Sequence, residues 1–256
     1  MVYNLYFSPT GGTKRVAEIL SCAMADDVVH VDLLKKNAVM PDFTAEDVCI
    51  LSVPAFGGRV PQAAIEKIHT IRANGAKAVL VAVFGNRAID DTLAELQDVA
   101  VSVGFEVITA VEAVAEHSLV RKYGAGRPNE QDQAELQDFA RRIAAKLQNG
   151  DSTTPVIPGN RPYKEFHPSA MTLVVEDTCV NCKRCARECP VEAIPTENVK
   201  TVDAEICFSC MHCVAVCPVN ARHNAPTVTA VLEERLRDRV QKQSRTSCIY
   251  KERAIC

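Results

Sequence analysis

The chain has 256 residues, of which 47% are hydrophobic and 24% are charged, and its formal net charge is −3. This composition excludes disorder of the whole chain, and the near-neutral charge excludes a strongly basic nucleic-acid binder. There is no apolar run of membrane-spanning length, and residues 1–12 lack a basic segment followed by an apolar one. We therefore expect a cytoplasmic protein of one large or two ordinary domains, with neither nucleic acid nor membrane among its partners.

Residues 1–150 alternate apolar, strand-like runs with amphipathic, helix-like runs. The predicted strands are Val2–Phe7, Val28–Leu33, Asp47–Val53, Lys77–Phe84 and Glu106–Ala113. The predicted helices are Thr13–Ala25, Gln62–Asn74, Asp90–Val103 and Asn129–Leu147. Several strands are apolar on both faces, which suits parallel strands covered by helices on each side. The pattern predicts an α/β domain with an open, doubly wound, five-stranded parallel sheet.

The loop after the first strand has the composition of an anion-binding turn. It consists of Ser8, Pro9, Thr10, Gly11, Gly12 and Thr13. Glycines let the backbone wrap closely around a ligand, and the N–H groups at the start of the next helix point at an anion. The chain contains neither G-x4-G-K-[ST] nor G-x-G-x-x-G, which argues against a nucleoside-triphosphate loop and a Rossmann dinucleotide site. A simple glycine-rich turn capped by Thr10 is the alternative.

Two more loops follow the third and fourth predicted strands. They contain Ala55, Phe56, Gly57, Gly58 and Arg59 after the third strand, and Gly85, Asn86 and Arg87 after Phe84 of the fourth. A doubly wound sheet binds its ligand at these carboxyl ends, beside the point where the strand order reverses. Phe56 is either an aromatic partner for a planar ligand or a core residue under the loop. The two arginines are either counter-charges for the ligand or ordinary surface charges.

The pattern S-x-T-G-x-T directly after the first strand resembles the FMN-phosphate loop of flavodoxins, and the resemblance covers residues 1–150. It implies that FMN binds with its phosphate on the first loop and its ring between the other two. The residues implied as FMN-binding are Ser8, Pro9, Thr10, Gly11, Gly12, Thr13, Ala55, Phe56, Gly57, Gly58, Phe84, Gly85, Asn86 and Arg87. Flavodoxins usually place a second aromatic residue after strand four, but here Ala88 and Ile89 follow and the chain has no Trp. We expect a flavin that is more exposed on one side, more weakly bound, or covered by the cysteine-rich domain of residues 171–224.

Three other parts of the chain carry weaker signals. His117, just past the fifth strand, is expected to be a surface or capping residue. Residues 151–170 hold four prolines and little periodicity, which predicts an extended linker packed on the surface. Residues 225–256 are predicted to form a helical tail that packs back on the body or docks a partner. Its apolar face is formed by Val231, Leu232, Leu236 and Val240.

Eight of the 12 cysteines fall between Cys179 and Cys217. The motif C-x2-C-x2-C-x3-C-P occurs twice, starting at Cys179 and again 28 residues later at Cys207. Such a loop supplies three thiolates to an iron–sulfur cluster, and the fourth comes from the other repeat. Zinc needs no third cysteine in each loop, and disulfides need an oxidising compartment, so both alternatives fit less well. Cys22 and Cys49 lack this spacing and are predicted to be core residues.

Residues 171–224 resemble the two-cluster bacterial ferredoxins. The resemblance implies a small α+β domain with two [4Fe–4S] clusters whose ligand sets cross between the repeats. One set is Cys179, Cys182, Cys185 and Cys217, and the other is Cys207, Cys210, Cys213 and Cys189.

The two halves together resemble the flavodoxin–ferredoxin fusion proteins of anaerobes, called the EFR1 family. This resemblance implies an electron carrier that relays electrons between FMN, the two clusters and external low-potential redox partner proteins. Two alternatives remain: a flavin-dependent oxidoreductase acting on a small acceptor or NAD(P)H, and a ferredoxin with a flavin-free docking domain. No nucleophile–base pair or pair of catalytic carboxylates stands out in the sequence.

Overall fold

Parallel strands alternate with helices through the first 150 residues of the computed structural model. The structure describes residues 1–166, 173–240 and 246–249, the last three by their backbone alone. The strands are β1 (Val2–Tyr6), β2 (Val28–Asp32), β3 (Val48–Pro54), β4 (Lys77–Phe84) and β5 (Glu106–Val114). The helices are α1 (Gly12–Cys22), α2 (Gln62–Ile68), α3 (Thr92–Ser102) and α4 (Glu130–Gln148).

The strand order β2-β1-β3-β4-β5 confirms the predicted doubly wound parallel sheet. This is the flavodoxin-like order, in which the chain direction across the sheet reverses between β1 and β3. The register pairs Tyr6 with Ser52 and Pro54 with Val83, so the carboxyl ends of β1, β3 and β4 lie at one edge. The loops singled out in the sequence are therefore neighbours in space.

The sheet is apolar on both faces, as the sequence predicts. Successive residues of β3 belong to different cores, because Ile50 packs on one face and Leu51 on the other. Helices α1 and α4 pack together over the face of Ile50, while α2 and α3 cover the face of Leu51. Cys49 is fully buried as predicted, but Cys22, the last residue of α1, is exposed, so its prediction as a core residue was wrong.

Helix α2 is the predicted helix whose end differs most from the sequence pattern. The pattern predicts a helix to Asn74, but α2 ends at Ile68. Beyond it, the Ala73 N–H donates to the carbonyl oxygen of Val103 at 3.0 Å, and both Ile71 and Ala73 are buried in the core. Short local turn bonds continue only to Ile71, and the bond of Ala73 to a distant segment replaces the one that a continued helix would make.

Residues 151–166, which fall in the predicted linker, form no helix or strand and run along α3. The Asp91 carboxylate accepts hydrogen bonds from the backbone N–H groups of Asn160 and Lys164, both at 2.8 Å. Arg161 forms an ion pair with Asp98, also at 2.8 Å. Residues 167–170 of the predicted linker lie outside the described residues.

The cysteine-rich segment folds as a small α+β unit. It contains β6 (Leu173–Val175), α5 (Arg184–Arg187), α6 (His212–Ala215) and β7 (Arg222–Asn224), and β6 pairs with β7 in antiparallel fashion. The backbone repeats with the same 28-residue shift as the cysteines. Its left-handed residues come in matched pairs, namely Asn181 and Ser209, Lys183 and Met211, and Glu192 and Asn220.

The predicted tail contains α7 (Pro226–Arg237) and a short strand, β8 (Ser247–Ile249), which pairs antiparallel with β5. Leu236 is buried on the body of the protein, but Val231 is 51% exposed, so its assignment to the packed face was wrong. Leu232 and Leu236 are one helical turn apart, whereas Val231 points about 100° away from Leu232. The sequence did not predict β8, and residues 241–245 and 250–256 of the tail lie outside the described residues. None of the described helices is long and apolar enough to cross a membrane.

Candidate functional site

A cavity of about 170 Å³ lies at the carboxyl ends of β1, β3, β4 and β5. Ten of the fourteen residues implied as FMN-binding line it. They are Pro9, Thr10, Gly12, Thr13, Ala55, Phe56, Gly57, Phe84, Gly85 and Arg87. The other four, which do not line it, are Ser8, Gly11, Gly58 and Asn86.

The first loop exposes the N-terminal end of α1 at this cavity. Gly11 is the N-cap residue with φ +91°, so α1 has no side-chain cap and the proposed capping by Thr10 is wrong. The Ser8 Oγ accepts a hydrogen bond from the Lys14 N–H at 2.9 Å, which leaves its own proton for a ligand. Helix-start N–H groups and hydroxyls at one place suit a phosphate.

The loop after β3 folds into a tight turn. The backbone groups of Phe56 and Arg59 bond each other twice, at 3.0 Å, and Gly58 has φ +85°. A Cβ on Gly58 would lie 2.2 Å from the Asp90 carboxylate, so this glycine permits close packing of two loops. Gly58 therefore shapes the site without lining it.

The two arginines of these loops have different partners. Arg59 forms an ion pair with the buried carboxylate of Glu95 at 2.6 Å, and this hydrogen bond raises the pKa of Arg59. It is thus neither an ordinary surface charge nor a lining residue. Arg87 lines the cavity and pairs with Asp90. Burial alone would raise the pKa of Asp90, but hydrogen bonds from Arg87 and Lys164 lower it overall.

His117 lines the same cavity with a defined tautomer. Its Nδ1 accepts hydrogen bonds from the N–H groups of Leu119 at 3.1 Å and Val120 at 3.2 Å. Burial, assisted by the charge of Arg87, lowers the pKa of His117 to about 4. The imidazole is therefore neutral at pH 7 with its proton on Nε2. The expectation of a capping histidine holds, while that of a surface histidine does not.

Three other segments close the cavity from above. They contribute Phe166 from the linker, Phe208 and Ser209 from the cysteine-rich unit, and Leu232 and Leu236 from α7. The ring centroid of Phe208 lies 6.1 Å from that of Phe56 and 6.5 Å from that of Phe7. The aromatic residue missing after β4 is thus replaced by rings from distant parts of the chain, and the cysteine-rich unit covers the cavity.

The eight motif cysteines surround two smaller cavities of about 20 Å³ each. The first quartet, around one cavity, is Cys179, Cys182, Cys185 and Cys217. The second quartet, around the other, is Cys189, Cys207, Cys210 and Cys213. These are the crossed sets implied by the resemblance.

The two cysteine quartets fit four-iron clusters better than single metal ions. Among the described residues, no three His, Cys, Asp or Glu side chains converge closely enough to hold a single metal ion. Four thiols arranged around a shared volume are what a four-iron cluster requires. Burial raises the pKa of the Cys210 thiol to about 12, and iron binding is what deprotonates such a thiol.

The two quartets differ in exposure. Cys189, Cys210 and Cys213 of the second quartet are each less than a tenth exposed. In the first quartet Cys182 is exposed, and the nearby Val180 is 63% exposed. The first quartet is therefore the outer cluster site, and the second is the inner one.

The inner quartet adjoins the cavity at the sheet. Phe208 and Ser209, which separate Cys207 from Cys210, line both cavities. His212 donates from Nδ1 to the carbonyl oxygen of Pro9 at 2.9 Å, in the first loop. Sequence reasoning missed these residues, since no local signal marks a contact between segments 200 positions apart.

Comparison with known proteins supports this description. The 4Fe-4S dicluster domain family matches residues 178–221, so this segment holds two [4Fe–4S] clusters. None of the curated proteins matches the chain.

Three solved structures are similar to the α/β part. The flavodoxin of Streptococcus pneumonia TIGR4 is 23% identical, with a TM-score of 0.39, over 57% of this chain and 98% of that one. The two-electron reduced flavodoxin of Megasphaera elsdenii is 20% identical, with a TM-score of 0.37, over 56% of this chain and 99% of that one. The rubredoxin oxygen:oxidoreductase of Desulfovibrio gigas is 16% identical, with a TM-score of 0.42, over 58% of this chain and 36% of that one.

The chain therefore joins a flavodoxin-like α/β domain, defined by its strand order, to a ferredoxin-like dicluster domain. Two [4Fe–4S] clusters supply one-electron redox chemistry, which supports an electron-transfer role for the chain.

Proposed function

We propose that this protein relays electrons between FMN, held in the large cavity, and a redox partner protein, through its inner and outer clusters. This is the arrangement expected of the EFR1-type fusions. The observation that supports it is the double position of Phe208 and Ser209, which line both the inner cluster site and the large cavity. FMN supplies two-electron redox chemistry and each cluster carries one electron, so one reduced flavin matches two clusters.

The lining residues fit FMN by their chemistry. The hydroxyl groups of Thr10 and Thr13 and the start of α1 suit the phosphate, and the Ser8 proton is available beside them. The rings of Phe56 and Phe208 suit the planar ring system. The Nε2 proton of His117 is a neutral donor for an acceptor atom of the ring.

The order of the sites suggests the direction of the path. The inner cluster site adjoins the flavin cavity, and the outer one lies at the surface near Cys182 and Val180. A redox partner protein therefore docks at the outer cluster. The cover over the large cavity, formed by the linker, the dicluster domain and α7, favours electron exchange over direct contact with NAD(P)H.

The first test is the quantitation of flavin, iron and sulfide after anaerobic purification. We expect one FMN with about eight iron and eight sulfide per chain. Full iron without FMN, in protein that also fails to bind added FMN, overturns the proposal in favour of a docking domain. Steady oxidation of NAD(P)H by the purified protein overturns it in favour of an enzyme.

A matched pair of variants tests the order of the relay. Cys210→Ser removes a ligand of the inner cluster, and Cys182→Ser removes one of the outer cluster. In variants that retain at least four iron, reduced flavin is expected to reduce the remaining cluster rapidly only when the inner cluster is intact. Equal rates in the two variants contradict the proposed order.

A further inference from the structure

A buried arginine lies beside the cluster sites. Arg222 is the first residue of β7, and only 3% of its surface is exposed. Its Nη2 donates a hydrogen bond to the carbonyl oxygen of Val199, while its buried Nη1 has no hydrogen-bond partner among the described residues. Arg222 is therefore a buried cation whose hydrogen-bonding capacity is only partly used.

No carboxylate in the described part of the chain forms an ion pair with Arg222. The two acids that directly follow β6 have other partners: Glu176 pairs with His223 at 2.6 Å, and Asp177 lies 3.4 Å from Lys200. A guanidinium group cannot lose its proton inside a protein, and burying it without an anion is strongly unfavourable. Some anion other than a carboxylate must compensate the charge.

The cluster sites supply that anion. Arg222 lines the cavity of the first quartet, together with Cys179, Cys182, Cys185 and Cys217. Strand β7 also packs against α6, which contains Cys213 of the second quartet. A cluster held by four thiolates is negatively charged in either redox state, so it provides the counter-charge that the protein part lacks.

We propose that Arg222 is the buried counter-ion of the outer cluster and raises its reduction potential. Reduction adds one electron to the cluster and makes its charge one unit more negative. A fixed positive charge nearby stabilises the reduced cluster more than the oxidised one. Because the arginine is buried, salt screens this effect only weakly.

The test is a redox titration of the intact protein followed by electron paramagnetic resonance. The outer cluster is identified as the one whose signal is lost in Cys182→Ser. In Arg222→Met, this cluster is expected to show a reduced-to-oxidised ratio at least tenfold lower at fixed potential, equivalent to 59 mV for one electron. Arg222→Lys keeps the charge and is expected to keep most of the wild-type potential. If Arg222→Met holds less than full iron, Arg222→Gln takes its place with the same expectation.

Arg187→Met is the matched control. Arg187 is an exposed arginine of the same domain, and its Nη1 donates to the carbonyl oxygen of Cys182 at 3.0 Å. Removing Arg187 is expected to change the cluster potentials less than Arg222→Met does. Because Arg187 is exposed, that change is expected to shrink as salt is added. The proposal fails if the outer cluster keeps its potential in the neutral Arg222 variant with full iron. It also fails if Arg222→Lys lowers that potential as much as Arg222→Met does. It depends on the cysteine ligands and not on the flavin, so protein without FMN leaves it standing.

Discussion

The imidazole of His117 illustrates how one side chain is set by its surroundings. Its Nδ1 is occupied by two backbone N–H groups, and burial keeps the ring neutral. In the unfolded chain this histidine takes up a proton near pH 6.5, but in the folded chain it does so only near pH 4. Between pH 6.5 and about pH 4, the unfolded state binds this proton and the folded state does not. The free energy of unfolding therefore falls as the pH is lowered through this range, by roughly 3 kcal/mol in total.

Residue-specific hydrogen–deuterium exchange at the imidazole C2 position, followed by mass spectrometry, checks this prediction. His117 is expected to titrate near pH 4. His223 serves as the internal reference, because hydrogen bonds to the Asn224 carbonyl and the Glu176 carboxylate raise its pKa. An ordinary titration of His117, close to that of a free histidine, is incompatible with the tautomer and burial described here.

Individual residues differ in how far the sequence predicts their roles. The cysteine ligands follow from a spacing that repeats within one short segment, so local sequence is sufficient. Arg222 and His117 have no such signal, because their roles depend on what packs around them in three dimensions. Phe208 belongs to the same group, since it meets Phe7 and Phe56 only after the two domains fold together.

At the scale of elements, the loop between β1 and α1 depends on a left-handed glycine. Gly11 has φ +91°, and no atom lies within 4 Å of the point that a Cβ would occupy, so a side chain there is opposed by backbone strain alone. Gly11→Ala costs about 1–2 kcal/mol in the present conformation. The loop relieves this strain by turning its N–H groups away from the cavity, and FMN affinity is expected to fall about tenfold.

Gly126→Ala is the matched control for that loop. Gly126 has φ +75°, and a Cβ there would likewise meet nothing within 4 Å. Its two chain neighbours do not line the large cavity, whereas Thr10 and Gly12 on either side of Gly11 do. We expect this variant to lose a similar amount of stability and to keep its affinity for FMN. Fluorescence titration of apoprotein with FMN measures both variants, and equal losses of affinity refute a specific role for the first loop.

The elements themselves were predicted as far as local patterns determine them. Strand β4 was predicted residue for residue, because a continuous apolar run between polar flanks defines a buried parallel strand. Helix α2 is shorter than its pattern, since Ala73 bonds to Val103 far along the chain. Strand β8 has only three residues and pairs with β5 from the other end of the sequence, so no local pattern marks it.

At the scale of the whole molecule, the two domains meet through a few directed contacts. His212 donates to the Pro9 carbonyl, and Lys36 pairs with Glu192 at 2.8 Å. The Lys36–Glu192 pair is largely exposed and contributes little stability by itself. The rings around Phe208 form the apolar part of the same interface. This arrangement places the inner cluster site, and not the outer one, against the large cavity.

The role of that interface in electron transfer is tested by removing one ring from each side of the cavity cover. Phe208→Ala removes the ring beside the inner quartet, and Phe166→Ala removes the linker ring that packs near Gly57. Both variants are expected to let oxygen reach reduced flavin several-fold faster, because each opens the cover. Only Phe208→Ala is expected to slow flavin-to-cluster electron exchange, measured by rapid mixing without oxygen. If Phe166→Ala slows that exchange equally, the path does not run past Phe208, and the contact between inner cluster and flavin cavity has no special part in the relay.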